Sequence, residues 1–153
     1  MIVRVVIAVL LAGALVAVSL PLVDDGRGRA TDRQVRGEIT RVERAAADLL
    51  ATEETVADRS RAPRRTVTVS LPERSWHRAG VEQLTVRPPP DGASTGRIRY
   101  AVAGRPEAVA TLDVPLRPAD DSLELRGSGE YRLRLRLVRV DGDRTVVVDR
   151  PGV

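Results

Sequence analysis

Hydrophobic positions divide this chain into three stretches with different periods. Val5 to Val23 is uncharged throughout and comes after the short start Met1-Ile-Val-Arg4. At about 1.5 Å rise per residue, such a run nearly spans a bilayer hydrocarbon core of about 30 Å. The pattern predicts a transmembrane anchor over residues 1–23, with Arg4 reaching toward the head groups. A signal segment cut after the small residues Ala17-Val18-Ser19 is one alternative, and a buried globular helix is another. Arg27, Arg29, Arg33 and Arg36 pull against an inside start under the positive-inside rule. An N-terminal apolar segment still usually exports the chain behind it, so the expectation is a single-pass protein of the cell membrane with residues 24–153 outside.

Residues 24–30 are polar and carry Gly26 and Gly28, which predicts a break. Thr31-Asp-Arg-Gln34 then reads as a capping box with Thr31 at the N-cap. Val35, Ile39, Val42, Ala46 and Leu49 come next at helical spacing, so an amphipathic helix is expected over 31–56. Its stripe has two uses. It covers the chain's own sheet, or it packs on a second chain as a parallel coiled coil. Val35, Ile39, Val42 and Leu49 are therefore candidate partner-contact residues.

After a charged linker over 57–65 the period changes to two. Val67, Val69 and Leu71 alternate with Thr66, Thr68 and Ser70. Further strands are expected at 82–87, 97–103, 108–114, 122–126, 131–140 and 144–149, separated by Gly/Pro/Asp turns. Asp141-Gly142 is the preferred pair for a two-residue type I′ hairpin. That loop pairs Val140 with Asp143, Leu137 with Val146 and Leu135 with Val148. One face of the hairpin is then apolar, and Arg132, Arg134 and Arg136 share the other. The predicted fold class is α+β: an N-terminal transmembrane helix, an amphipathic helix, then an antiparallel β-domain of six or seven short strands over 66–153. The helix covers the sheet, or the strands form a β-sandwich by themselves.

Composition narrows the chemistry. The 153 residues include no Cys, which excludes a disulfide scaffold or thiolate metal site. One His excludes a multi-histidine centre, and His77 sits in a loop beside Ser75 with nothing to make a triad. Trp76, in the same loop, either anchors it on the domain or offers an exposed contact. Carboxylate pairs occur only as neighbours, which is not how acid/base pairs straddle a cleft. No catalytic residue, cofactor or metal is expected, and the chain reads as non-enzymatic. The pI near 10.7 arises because all 25 basic residues are Arg. Residues 24–153 hold 24 of them against 21 acids, a formal +3. With no aromatic platforms beside the arginines, nucleic acid is not an expected partner. The Arg132/Arg134/Arg136 stripe is the candidate anion-binding face, for an acidic glycan or lipid head group.

The order of apolar helix, amphipathic helix and antiparallel strands resembles type IV pilins and pseudopilins. It departs from them in lacking a basic/Gly processing site and an early Glu, and in the glycines at 26 and 28. The chain more closely resembles a family of small uncharacterised haloarchaeal membrane-anchored proteins linked with type IV pilus-like secretion genes. The resemblance is carried by the Val-Ile-Ala-Val-Leu-Leu start, Glu43-Arg-Ala-Ala-Ala-Asp-Leu49, Arg64-Arg-Thr-Val-Thr-Val-Ser-Leu-Pro72 with Trp76, and Tyr131-Arg-Leu-Arg-Leu-Arg-Leu137. It implies an accessory or structural part in a cell-surface assembly, with the membrane and protein partners or further copies of itself as its contacts.

Overall fold

The computed structural model describes residues 2–52, 62–89 and 95–152; within the helix, the side chains at 2, 18–22 and 24 lie outside the description. One helix, α1 (Ile2–Thr52), occupies the first third of the chain. At about 1.5 Å per residue it is roughly 75 Å long. The break expected over 24–30 is helical, so the uncharged segment and the amphipathic segment are one rod. Each glycine costs about 1 kcal/mol relative to Ala in a helix interior, and tertiary contacts offset that cost. Gly28 is buried, and a Cβ there would lie 2.6 Å from the Arg105 Cδ. The glycine is what lets that side chain cross the helix.

Thr31 is not an N-cap. It lies inside α1, fully buried, and its Oγ1 accepts the Ala79 amide at 3.0 Å. The transmembrane helix expected over residues 1–23 is not supported: among the described residues no helix is long and apolar enough to cross a membrane. The last residues of the expected 31–56 helix, and the linker as far as 61, lie outside the described residues.

Among the described residues ten strands come after the helix: β1 (Arg64–Leu71), β2 (Arg74–Ser75), β3 (Arg78–Ala79), β4 (Val81–Arg87), β5 (Gly96–Val102), β6 (Ala108–Leu112), β7 (Leu116–Pro118), β8 (Leu123–Arg126), β9 (Gly129–Val140) and β10 (Asp143–Asp149). The predicted strands are all present within one or two residues at their ends. The additional ones are β2, β3 and β7, each too short to show alternation. One sheet has the order β1-β9-β10-β7, a second β6-β5-β4-β8, and β2-β3 form a small ribbon. Pairing is antiparallel except between β10 and β7. The final hairpin has the predicted register, with Val140 opposite Asp143 and Leu135 opposite Val148. Asp141 and Gly142 both take positive φ (52° and 92°), as a type I′ turn requires.

The helix covers the sheets, and the strands do not form a sandwich by themselves. The helix and the two large sheets share one core, in which Val35, Ile39, Val42, Ala46 and Leu49 meet Val67, Val69, Leu133 and Leu135 of one sheet and Leu84, Val86, Ile98 and Leu125 of the other. The sheets draw together where β7 passes β5. A Cβ on Gly96 would sit 2.8 Å from that of Leu116, so only glycine allows the approach.

Polar contacts fasten the helix to successive parts of the domain. Besides Thr31, Asp32 Oδ1 accepts the Tyr100 hydroxyl at 2.5 Å, and the Glu38 carboxylate accepts the Ser70 amide at 3.3 Å. Glu43 accepts the Asp113 amide at 2.6 Å, and Asp48 takes Arg65 at 2.8 Å. Leu135 is fully buried at the centre of β9. Leu135→Ala is expected to cost about 2–5 kcal/mol of unfolding free energy, read as a lower denaturation midpoint with an unchanged slope.

Candidate functional site

Burial divides α1 into two halves with opposite character. From Val35 to Leu49 its apolar stripe is core. From Val3 to Val16 the large apolar side chains are exposed, between 50% at Val6 and 71% at Leu15. Monomeric proteins rarely leave an apolar patch of this extent in water. Val35, Ile39, Val42 and Leu49, the expected partner stripe, are all buried in the chain's own core and offer nothing to a second chain. The exposed apolar surface lies one half-helix earlier.

Arg132, Arg134 and Arg136 do line one face of β9, but they are not equivalent. Asp149 on β10 takes Arg134 Nε at 2.8 Å and Arg136 Nη2 at 2.7 Å. One carboxylate thus compensates two of the three charges, and only Arg132 stands exposed. The cross-strand register that aligned the arginines also brought Asp149 beside Arg134. His77 is exposed in the β2–β3 turn. Among the described residues no three His, Cys, Asp or Glu groups come together to hold a metal ion.

The basic groups gather elsewhere. Where α1 meets the β2–β3 ribbon and the β5–β6 turn there is an open recess of about 360 Å³. Arg27 from the helix, Arg74 and Arg78 from the ribbon and Arg105 from the turn line it, with Asp25 as the single acid among the described residues. Asp25 itself lies 3.5 Å from Arg29, one turn along the helix. At the rim, Trp76 is 83% exposed, and the Arg27 guanidinium stacks on its ring at 5.3 Å. Trp76 is therefore not buried against the domain, and its side chain is open to solvent apart from the Arg27 stack. Sequence reasoning missed this recess because its arginines come from three separated segments with no shared period.

Arg105 also acts electrostatically on Asp32, which pairs with Tyr100. Burial, and then the hydrogen bond to Asp32, push the Tyr100 phenol up to about 12. Burial alone would raise Asp32; hydrogen bonds from Tyr100 and Arg36, with the charges of Arg36 and Arg105, outweigh it and hold the carboxyl below its ordinary 3.8. A neutral phenol donating to a carboxylate under a guanidinium is a clamp between α1 and β5. Neither Tyr100 nor Asp32 lines the arginine recess.

The chain is thus an α+β protein with a half-projecting helix on a two-sheet core. It belongs to a family described as a domain of unknown function, DUF7311, whose profile matches residues 2–151. No curated protein and no solved structure matches it.

The clamp makes stability depend on pH at both ends. Because Tyr100 is raised in the folded state, its contribution is complete below pH 10 and falls away as pH rises toward about 12. Asp32 is depressed, so its contribution is complete above about pH 4 and is lost on further acidification. Tyr100→Phe should cost about 1–3 kcal/mol at neutral pH and flatten the decline between pH 10 and 12, as followed by denaturation midpoints across pH.

Proposed function

We propose that this protein is a membrane-anchored, non-enzymatic component of a cell-surface assembly, built on the plan of a pilin-like subunit. The observation that carries the reading is the single unbroken helix, core in its second half and bare apolar surface in its first. The described apolar side chains run from Val3 to Ala17, and the uncharged sequence continues to Val23, the length a bilayer core requires. Lipid covers that surface in a single copy, and neighbouring helices of the same kind cover it in an assembly. The layout resembles pilins and pseudopilins more than the sequence suggested, because Gly26 and Gly28 do not interrupt the helix. Asp32, Glu38, Glu43 and Asp48 are spent on fastening helix to sheets, which favours a structural role over catalysis. On this reading the β-domain stands on the outer face of the cell membrane. Anion binding by the Arg132/Arg134/Arg136 face is the weaker reading, since Asp149 occupies two of its guanidinium groups.

Membrane fractionation tests the anchor. The full chain should stay with membranes through an alkaline wash, and Leu10→Arg combined with Leu15→Arg should release it with the β-domain still folded. Full release of the unmodified chain by the wash would sink the reading. The natural lack of Cys allows a topology test as well. A single Ser122→Cys should react with an impermeant maleimide on intact cells, and labelling only after lysis would reverse the orientation. For assembly, a Val9→Cys chain should crosslink in membranes to copies or to a second envelope protein; recovery of monomer alone would remove that part.

A further inference from the structure

We propose that the arginine-lined recess binds the phosphate of an anionic phospholipid, seating the β-domain on the surface of the bilayer that holds the helix. The proposal rests on the anchor reading and adds a ligand and a site to it. Its first support is charge. Four guanidinium groups, from Arg27, Arg74, Arg78 and Arg105, surround about 360 Å³; among the described residues Asp25 is the one carboxylate lining it, and Asp32 lies within electrostatic reach of Arg105. Arg74, Arg78 and Arg105 make no ion pair among the described residues, and Asp25 is turned to Arg29. Guanidinium forks pair with phosphate oxygens two at a time, so such a group matches a phosphate better than a single-point anion.

Depth is the second support. Arg27 is one helical turn beyond Val23, the last residue of the uncharged stretch, or about 6 Å along the axis. The head-group layer on each side of a bilayer core is of similar thickness, about 5–8 Å. A helix that buries its apolar half therefore brings the recess to the level of lipid phosphates. Trp76 stands at the same level with 83% of its surface free, on the ribbon that supplies Arg74 and Arg78. An indole with an apolar body and a polar N–H is the side chain enriched at that interface.

The recess is also held ready. Ala79 is tied to Thr31 through its amide at 3.0 Å, so the ribbon cannot swing from the helix without breaking a part-buried hydrogen bond. Arg105 lies across Gly28, where any larger residue would displace it.

Trp76 is the sole tryptophan and gives the readout. The full chain is to be reconstituted with phosphatidylcholine vesicles, with and without phosphatidylglycerol, and followed by flotation and Trp76 emission. The expected result is flotation with both, with a blue shift and quenching by brominated lipid only when phosphatidylglycerol is present. The combined variant Arg74→Gln, Arg78→Gln, Arg105→Gln should float as before and lose the shift. Arg74→Gln alone should lose part of it, which keeps the test open if the triple variant does not fold. Arg132→Gln, outside the recess, should leave the shift intact. Equal emission in the two vesicles, a shift retained by the recess variants, or a shift lost equally in Arg132→Gln would overturn the proposal. A shift produced in neutral vesicles by inorganic phosphate would assign the recess to a soluble phosphate and overturn the lipid. Flotation confined to phosphatidylglycerol vesicles would support the recess while removing the anchor. Flotation with neither vesicle would remove both.

Discussion

A core without phenylalanine has to find its volume elsewhere, and here the helix supplies it. Two sheets of Val, Leu and Ile, with Tyr100 and Tyr131 as the only buried aromatic residues, close on the stripe from Val35 to Leu49. The buried area of that stripe is shared with both sheets, so removing the helix would open each of them to water. The remaining architecture depends on this wedge. Because the second half of α1 is core, the first half leaves the domain along a direction the core sets. The recess exists because the helix exits beside the β2–β3 ribbon.

Apolar burial is non-directional, so by itself it sets the position of a helix less sharply than directed hydrogen bonds do. The polar contacts supply that direction. Thr31, Asp32, Glu38, Glu43 and Asp48 each engage a different group over five helical turns, reaching β3, β5, β1 and the loop after β6. Two of these, Glu38 and Glu43, are carboxylates taking backbone amides, which fixes position as well as energy. The result is a helix registered along its axis and about it.

How much of the fold is legible in the sequence depends on whether the signal is local. The last hairpin is legible, since Asp141-Gly142 dictates its turn and the alternation of Leu133, Leu135 and Leu137 dictates its register. The stripe from Val35 to Leu49 is equally plain, although its spacing does not say whether its partner is the same chain or another. The expected break at 24–30 fails because Gly26 and Gly28 carry a local preference that Arg105 and Ala79, more than 45 residues away in sequence, override. Likewise β7, with three residues and a proline, shows no period by itself and is a strand only because β10 lies alongside. The arginine stripe is visible as a pattern, but its neutralisation by Asp149 depends on a cross-strand neighbour. The recess has no sequence signature at all, because it is a product of where the helix exits.

The unbroken helix also has a mechanical side. No swivel separates the projecting half from the domain, so a tilt or a twist of the one is delivered in full to the other. Two copies that bring their projecting halves together must present their β-domains at one angle, set by the rotation at which the helices meet. A flexible tether would let the domains explore a cloud of positions, and order would have to come from the domains themselves. In such a pairing, a single rotation about one axis would be enough to specify how the second copy faces.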